Sequence, residues 1–281
     1  MNHVQDLSLT FLGTGTSAGV PVIGCACTVC TSDDPRDKRL RCGALVRWTD
    51  PTGQERVALI DTTPDLRQQA LAHALRRCDA VLFTHNHVDH TFGLDELRRF
   101  NALMGRAIDL YAEPHTIAFL QRTFAHIFDK HQNVNDSFVA NLIAHPITPA
   151  RPIDLHGVRF TPIRLHHGKL PIVGFRIEPV PITPPDHDNA TAFPLAYCTD
   201  VSAVPPEAWP LLRGLRTLAL DALRHTRHPT HLTLDQALDV AFQVAADRTY
   251  FIHMSHELGH ASTQQSLPPG VDLAHDNLTL R

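Results

Sequence analysis

The chain has 281 residues, 43% of them hydrophobic, and a net charge of −4 from 29 acidic and 25 basic side chains. A chain of this size can bury a sizeable core. Its acidic balance argues against holding nucleic acid chiefly through a basic surface, so a nucleic-acid partner is not expected. No apolar run approaches the roughly 18 residues that cross a bilayer, so no membrane partner is expected either. Residues 1–12 carry no basic leader and no signal-type apolar core, which makes a cytoplasmic address the expectation. The departure from ordinary composition is the histidine count of 20.

In chain order, residues 7–12 alternate as a strand does and run into Gly13-Thr14-Gly15-Thr16-Ser17-Ala18-Gly19. The third glycine arrives one residue late for a dinucleotide-binding loop, and no helical pattern follows it. Next comes Gly24-Cys25-Ala26-Cys27-Thr28-Val29-Cys30, in which three thiols can converge on one ion with little loop entropy to lose. A fourth ligand must come from elsewhere. Cys42, Cys78 and Cys198 sit in or beside apolar stretches and read as buried small hydrophobes.

Residues 42–48 and 57–61 read as strands. Thr63 is predicted to cap a helix with Pro64 in its first turn and Leu66, Ala70, Leu71, Ala74 and Leu75 as its apolar stripe. Residues 80–83 form a short buried strand that delivers the chain to Thr84-His85-Asn86-His87-Val88-Asp89-His90. A helix is expected over 94–104, a strand over 108–111, a helix from Pro114, and irregular chain over 129–157. Residues 158–165 and 172–177 read as strands joined by His166-His167-Gly168-Lys169. Residues 179–185, rich in proline, read as an exposed connection.

Residues 194–198 lead to Thr199-Asp200, and 217–220 to Asp221. Thr233-Leu234-Asp235-Gln236 is a capping-box start for a helix with Leu234, Ala237, Leu238, Ala241 and Phe242 on one face. Residues 249–252 form a strand ending at His253. Strands and helices alternate throughout, without repeats or a long linker. The expectation is therefore a layered α/β fold in one domain over residues 1–281.

Placement is more informative than abundance. His85, Asp89, His90, His167, Asp200 and His253 each fall just after a predicted strand or in the turn leaving it, where ligands gather at the edge of an α/β sheet. His85, His87, Asp89 and His90 supply four ligand-type side chains within six residues. Imidazole suits zinc, manganese, iron or nickel, and carboxylate extends the range towards harder ions. Four such groups are too many for one ion served from one tight loop, so two adjacent ions are expected. Asp61, ending its strand, is placed to orient a ligand histidine. His3, His73, His115, His126, His131, His145, His156, His187 and His275 read as solvated or packing residues, and His260 as a surface one. His166, His225 and His228 lie close enough in sequence to the constellation to border the pocket, and Lys169 reads equally as a phosphate contact or an exposed lysine.

The Thr84-His85-x-His87-x-Asp89-His90 motif resembles the signature of the metallo-β-lactamase superfamily. A finer likeness lies in the order of Phe11-Leu12-Gly13-Thr14-Gly15, the cysteine loop, Leu165-His166-His167-Gly168-Lys169-Leu170, Thr199-Asp200 and His253-Met254-Ser255-His256. Over nearly the whole chain this order resembles phosphodiesterases of the phosphoribosyl cyclic phosphodiesterase type. The resemblance implies an αββα sandwich with a two-metal site at the sheet edge. It assigns His85, His87, His167 and Asp200 to one divalent ion (Mn²⁺ or Zn²⁺). The second ion falls to Asp89, His90, the shared Asp200 and His253. His256 then closes a structural Zn²⁺ site with Cys25, Cys27 and Cys30, and His231 is a candidate proton donor beside the substrate.

The implied reaction is hydrolysis of a small, cyclic or otherwise compact phosphate diester by a hydroxide bridging the two metals, with Asp89 and His231 among the catalytic residues. A homodimer is compatible with it. His166 and the insertion at 179–193 depart from the pattern and leave the substrate open. Two alternatives share parts of the motif set: an oxidoreductase-type protein resembling the pyrroloquinoline quinone biosynthesis B protein, and a tRNA 3′-processing endonuclease. Charge separates the two sites. Two divalent ions only partly offset by Asp89 and Asp200 make an electrophilic pocket, whereas three thiolates around one Zn²⁺ leave no open position. Because His253 and His256 share one short segment, loss of the zinc is expected to loosen a ligand of the other site.

Overall fold

The computed structural model describes residues 3–134, 137–181 and 191–281, so His187 and most of the 179–193 insertion lie outside the described residues. Two seven-stranded mixed sheets are stacked face to face. The first contains β1 (Gln5–Gly13), β2 (Gly43–Thr49), β3 (Glu55–Ile60), β4 (Ala80–Leu82), β5 (Ile108–Ala112) and β6 (Leu142–Pro146). The second contains β7 (Ile153–Leu155), β8 (Val158–His167), β9 (Leu170–Pro179), β10 (Leu195–Cys198), β11 (Thr217–Asp221), β12 (Arg248–Ile252) and β13 (Val271–Leu273). β14 (Thr279–Leu280) returns to pair antiparallel with β1. The helices are α1 (Leu66–Ala72), α2 (Val88–Thr91), α3 (Leu97–Met104), α4 (Pro114–Thr123), α5 (Ala125–Phe128), α6 (Leu234–Val244) and α7 (His260–Gln264). This is the αββα sandwich.

The central core lies between the sheets, with Phe11, Trp48 and Ile60 from one meeting Phe160, Phe175 and Tyr197 from the other. Two further cores lie on the outer faces. One packs α1, α3 and α4 residues such as Leu66, Phe100 and Leu120 onto the first sheet, and the other packs Leu234, Ala237 and Ala241 of α6 onto the second. Central strands are therefore buried on both faces and read as apolar runs rather than clean alternation. The Trp48 indole N–H, carried into the core, donates to the His156 carbonyl at 3.1 Å, which meets the requirement that a buried donor be paired.

Strand direction positions the site. β3 to β6 run parallel, as do β10 to β13. β8 is antiparallel to β9 and β9 to β10, so β8 finishes at the same edge as β10. The sheets are joined there by the Val173 amide donating to the Thr84 carbonyl at 3.1 Å.

Five local expectations are corrected. The Thr63 hydroxyl accepts the Asp65 amide in a turn, and α1 begins at Leu66 with Asp65 as its N-cap. The helix is too short to carry the expected stripe; its buried side chains are Leu66 and Gln69, and Leu71 is exposed. Residues 129–157 contain β6 and β7, which sit at the outer positions of their sheets, where the proline ending β6 costs no ladder hydrogen bond. The capping box at Thr233 and Gln236 forms as predicted, but Phe242 is exposed while Val244 is buried. At 100° per residue, Phe242 lies about 120° off the centre of the buried stripe. His260, expected at the surface, is buried, with its amide donating to Asp37 at 2.8 Å.

Candidate metal centre

Every member of the predicted constellation arrives at one edge of the sandwich. His85 follows β4, His87 caps the N-terminus of α2, and Asp89 and His90 lie in its single turn. His167 ends β8, Asp200 follows β10, Asp221 ends β11 and His253 follows β12. Asp61, Asp200 and His253 all hold positive φ angles, of 64°, 58° and 59°. Such backbone is costly for most side chains but more readily adopted by Asp and His, and here it turns three side chains back into the pocket as the strands leave the sheet.

Two ligand quartets result. In one, donor atoms of His85, His87, His167 and Asp200 lie within 4.8 Å of one another; in the other, those of Asp89, His90, Asp200 and His253 do. The Asp200 carboxylate is common to both, with Oδ2 3.9 Å from His85 Nε2 and Oδ1 3.2 Å from His90 Nε2 and 3.3 Å from His253 Nε2. Asp89 Oδ2 is 3.3 Å from His90 Nε2 and 3.8 Å from His253 Nε2. A tetrahedron with metal–ligand arms of about 2.0–2.2 Å has edges of about 3.3–3.6 Å; the three contacts at 3.2–3.3 Å match its short end, and those at 3.8 and 3.9 Å lie slightly beyond it.

The far sides of the rings fix which nitrogen faces the pocket. His90 Nδ1 donates to Asp61 Oδ2 at 2.8 Å. Asp61 also takes the Thr84 amide and hydroxyl, both at 2.8 Å. Since the Thr84 hydroxyl is spent on Asp61, it accepts from His85 Nδ1 at 2.9 Å. His167 Nδ1 donates to the Thr230 carbonyl at 2.7 Å. In each case Nδ1 carries the proton and Nε2 presents its lone pair, the arrangement that supports a metal-ligating imidazole. The Nε2 atoms of His85, His90 and His253 are buried without a hydrogen-bond partner among the described residues. Orphaning three buried nitrogens around two carboxylates would cost about 1–3 kcal/mol each, so the donor set fits divalent cations.

Electrostatics agree. Burial pushes the Asp200 carboxyl up, but His253, His90 and His85 outweigh it and hold it well below the usual carboxylate range. Burial opposes charge on His90, yet Asp200, Asp89 and Asp61 raise it well above an ordinary imidazole. His253 is raised in the same way, against its burial, by Asp200, Asp221 and Asp89. His85 goes the other way, driven down by burial and by neighbouring His90. The carboxylates keep their charge and demand positive charge beside them.

The sulfur site has the same quality of fit. His256 Nδ1 lies 3.3, 3.4 and 3.4 Å from the sulfurs of Cys25, Cys27 and Cys30, close to the ~3.5 Å edge expected for a tetrahedron with arms of about 2.3 and 2.05 Å. The Cys27 thiol is pulled down to about 6, first by the Cys30 amide and then, against desolvation, by the other thiols and His256. Its low value favours the thiolate that binds metal. Cys42, Cys78 and Cys198 are buried, as expected.

Two features escape the sequence. Asp221 Oδ2 is 3.3 Å from His231 Nδ1 and accepts the Leu232 amide at 3.1 Å, while Oδ1 is 3.5 Å from His253 Nδ1. Its position at a strand end was the available signal. Thr230, whose carbonyl fixes His167, offered none. His231 itself is buried with its ring 4.6 Å from His167 and 4.8 Å from His253. His228 borders it at 5.1 Å, while His166 is half-buried and His225 and Lys169 are exposed. A Cβ on Gly15 would fall 2.8 Å from the Arg39 carbonyl, so that glycine permits close approach of two backbone segments.

The sequence profile of the Beta-lactamase superfamily domain matches residues 56–254. The chain therefore belongs to that superfamily, whose fold it has. It is 40% identical to a diphosphatase of the PhnP family, covering 99% of this chain and 97% of that one with a TM-score of 0.84. The protein thus belongs to the PhnP family. It is also 34% identical over 269 residues to an octanoyltransferase of Porphyromonas gingivalis, a match to 95% of this chain and 50% of that protein, so the chain spans about half the length of this curated relative. Zinc-bound PqqB from Methylobacterium extorquens shares the fold, with 22% identity, a TM-score of 0.71 and coverage of 98% of this chain and 99% of that one. Among the described residues no helix is long and apolar enough to cross a membrane.

Proposed function

We propose that the protein hydrolyses a small phosphate diester at a dinuclear metal centre. The observation that carries this reading is the pair of quartets sharing Asp200, with His231 edge-on to His167 and stacked on His253. His85, His87, His167 and Asp200 would hold one ion, and Asp89, His90, Asp200 and His253 the other; Cys25, Cys27, Cys30 and His256 would hold a structural zinc. Two adjacent divalent ions, when bound, supply Lewis acidity towards phosphoryl oxygens and bring water at the site towards ionisation at neutral pH.

The chain's own groups do the rest. Asp61, Thr84 and the Thr230 carbonyl lock the ligand rings. Asp221 accepts from His231 Nδ1 and orients the ring, so that the doubly protonated imidazolium would pass its Nε2 proton to the departing oxygen and keep the one on Nδ1. The buried walls formed by His90, Asp200 and His253 keep bulk water from screening these charges. His87 is exposed and marks the open side by which substrate enters.

The likeness to a diphosphatase favours a second form of the same chemistry, in which the bond broken is P–O–P. A phosphorus in a diphosphate diester is itself doubly substituted, so the attack is equivalent and only the leaving group differs. Phosphate is a far weaker base than an alkoxide and needs less proton donation. The test is hydrolysis by protein reconstituted with Mn²⁺, Zn²⁺ or Ni²⁺, using bis-p-nitrophenyl phosphate, cyclic nucleotides, a ribose cyclic phosphate, a diphosphate diester and precursor tRNA. Turnover of a small diester is expected. No hydrolysis of any of them would overturn the reading, and cleavage of precursor tRNA alone would replace it with the endonuclease.

A further inference from the structure

Beside the metal centre, residues 224–231 carry Arg224, His225, Arg227 and His228 in a chain whose net charge is negative. Arg224 is consumed internally: its guanidinium donates to the Thr226 and Arg227 carbonyls and pairs with Glu257 at 3.4 Å. Arg227 is exposed, as is Lys169 in the β8–β9 turn, and among the described residues neither side chain meets a carboxylate. The turn and the loop are packed together, since a Cβ on Gly168 would fall 2.8 Å from Thr230 Cγ2. Two exposed cations without a carboxylate partner among the described residues therefore lie on the loop and turn beside the metal centre, where they raise the positive potential that an anion meets.

Thr230 makes this flank part of the site. Its carbonyl holds His167 Nδ1 at 2.7 Å, while its amide and hydroxyl lie 3.4 and 3.1 Å from His228 Nδ1. An amide can only donate, so His228 Nδ1 is an acceptor and the ring carries its proton on Nε2. His228 is thereby fixed as a donor, half-buried, with its ring 5.1 Å from that of His231.

Resting on the hydrolase reading above, we propose that His228, with Arg227 and Lys169, forms a second anion-recognition point that binds the phosphoryl group next to the one attacked, which selects diphosphate-bridged substrates over isolated diesters. His228 gives the directional hydrogen bond, and the two exposed cations give attraction without register.

The test is calorimetric binding of inorganic pyrophosphate and of orthophosphate to the metal-loaded protein, with metal content measured before and after to detect chelation. Pyrophosphate is expected to bind the wild type more tightly. His228→Asn keeps an oxygen to accept the Thr230 amide but removes the far donor, and should weaken pyrophosphate about tenfold more than orthophosphate. His228→Gln, which restores a donor at the Nε2 position, should recover part of that loss. The surface pair Arg227→Ala/Lys169→Ala, which disturbs no packing, should reduce pyrophosphate affinity severalfold and flatten its salt dependence. Equal effects on the two anions, or none, would overturn the proposal, and the double variant decides it should His228→Asn fail to fold. Absence of any diester turnover by the wild type would count against the hydrolase reading alone, because the binding comparison does not depend on turnover.

Discussion

The two metal-type sites are built on different parts of the fold. The His/Asp pocket draws on the ends of β3, β4, β8, β10, β11 and β12, from both sheets, and its strand-end groups Asp61, His85, Asp200 and His253 are at most 2% exposed. The sulfur site draws on one loop and one short segment, and Cys25, Cys27 and His256 are only half-buried. The pocket is anchored in the strand ends of the sandwich, whereas the cysteine loop contributes few buried side chains and would lean more on a bound ion for its shape. They meet in residues 253–256, which are also held without metal. The Thr16 amide donates to the Met254 carbonyl at 3.1 Å and the Met254 amide to Thr14 at 2.9 Å. The buried Arg39 guanidinium donates to the Ser255 and Leu258 carbonyls at 2.9 and 2.6 Å.

The sharpest way to break this comparison is Asp200→Ala. Loss of the shared ligand should empty the pocket and lower diester turnover about a thousandfold or more, while elemental analysis still finds zinc bound by the cysteines. His231→Ala should lower turnover of an alkyl ester about 10²–10⁴-fold with metal content unchanged; a fall in metal content would make His231 a ligand. The loss should be smaller for p-nitrophenyl esters, whose leaving group is less basic.

Asp61→Asn is next. It leaves His90 and Thr84 competing for a poorer acceptor, and should weaken pocket metal binding about 10–100-fold without touching the sulfur site. Cys27→Ser should release the structural zinc and lower the melting temperature by several degrees, with weaker binding at the His253 ion. If that ion is unaffected, Arg39 and the backbone bonds alone fix His253, and the coupling expected from sequence is absent.

The smallest effect concerns Asp276, which joins the two loops by accepting the Leu40 amide at 2.7 Å and the Thr14 hydroxyl at 2.8 Å. Burial pushes its carboxyl up to about 6, against the opposing pull of those hydrogen bonds. A raised carboxyl stabilises the fold below its unfolded-state value and loses that contribution as pH rises through about 6. Wild-type stability should therefore fall, relative to Asp276→Asn, between about pH 4 and pH 7 in denaturant titrations.

The separation between sequence and structure follows physical lines. Ligand-type residues at strand ends were legible because strand periodicity and the His85–His90 spacing are local, and local pattern constrains local geometry. The Cys25–Cys30 cluster and the Thr233 capping box were legible for the same reason. Thr63 has the sequence signature of a cap, but the choice between turn and helix start is made by Asp65, which also pairs with Arg41 at 2.9 Å. β6 and β7 carry no clear strand pattern because edge strands tolerate the prolines and polar residues that mark irregular chain elsewhere.

What the sequence determined alone was the inventory: which side chains can bind metal, that they sit where strands end, and that three thiols lie within reach of one ion. Only the tertiary structure decided the contacts that hold these groups. That Asp221 stands between His231 and His253, and that Thr230 joins His167 to His228, depends on residues up to 63 positions apart in the chain meeting at one edge. Such meetings are set by how two sheets pack, and no local periodicity encodes them.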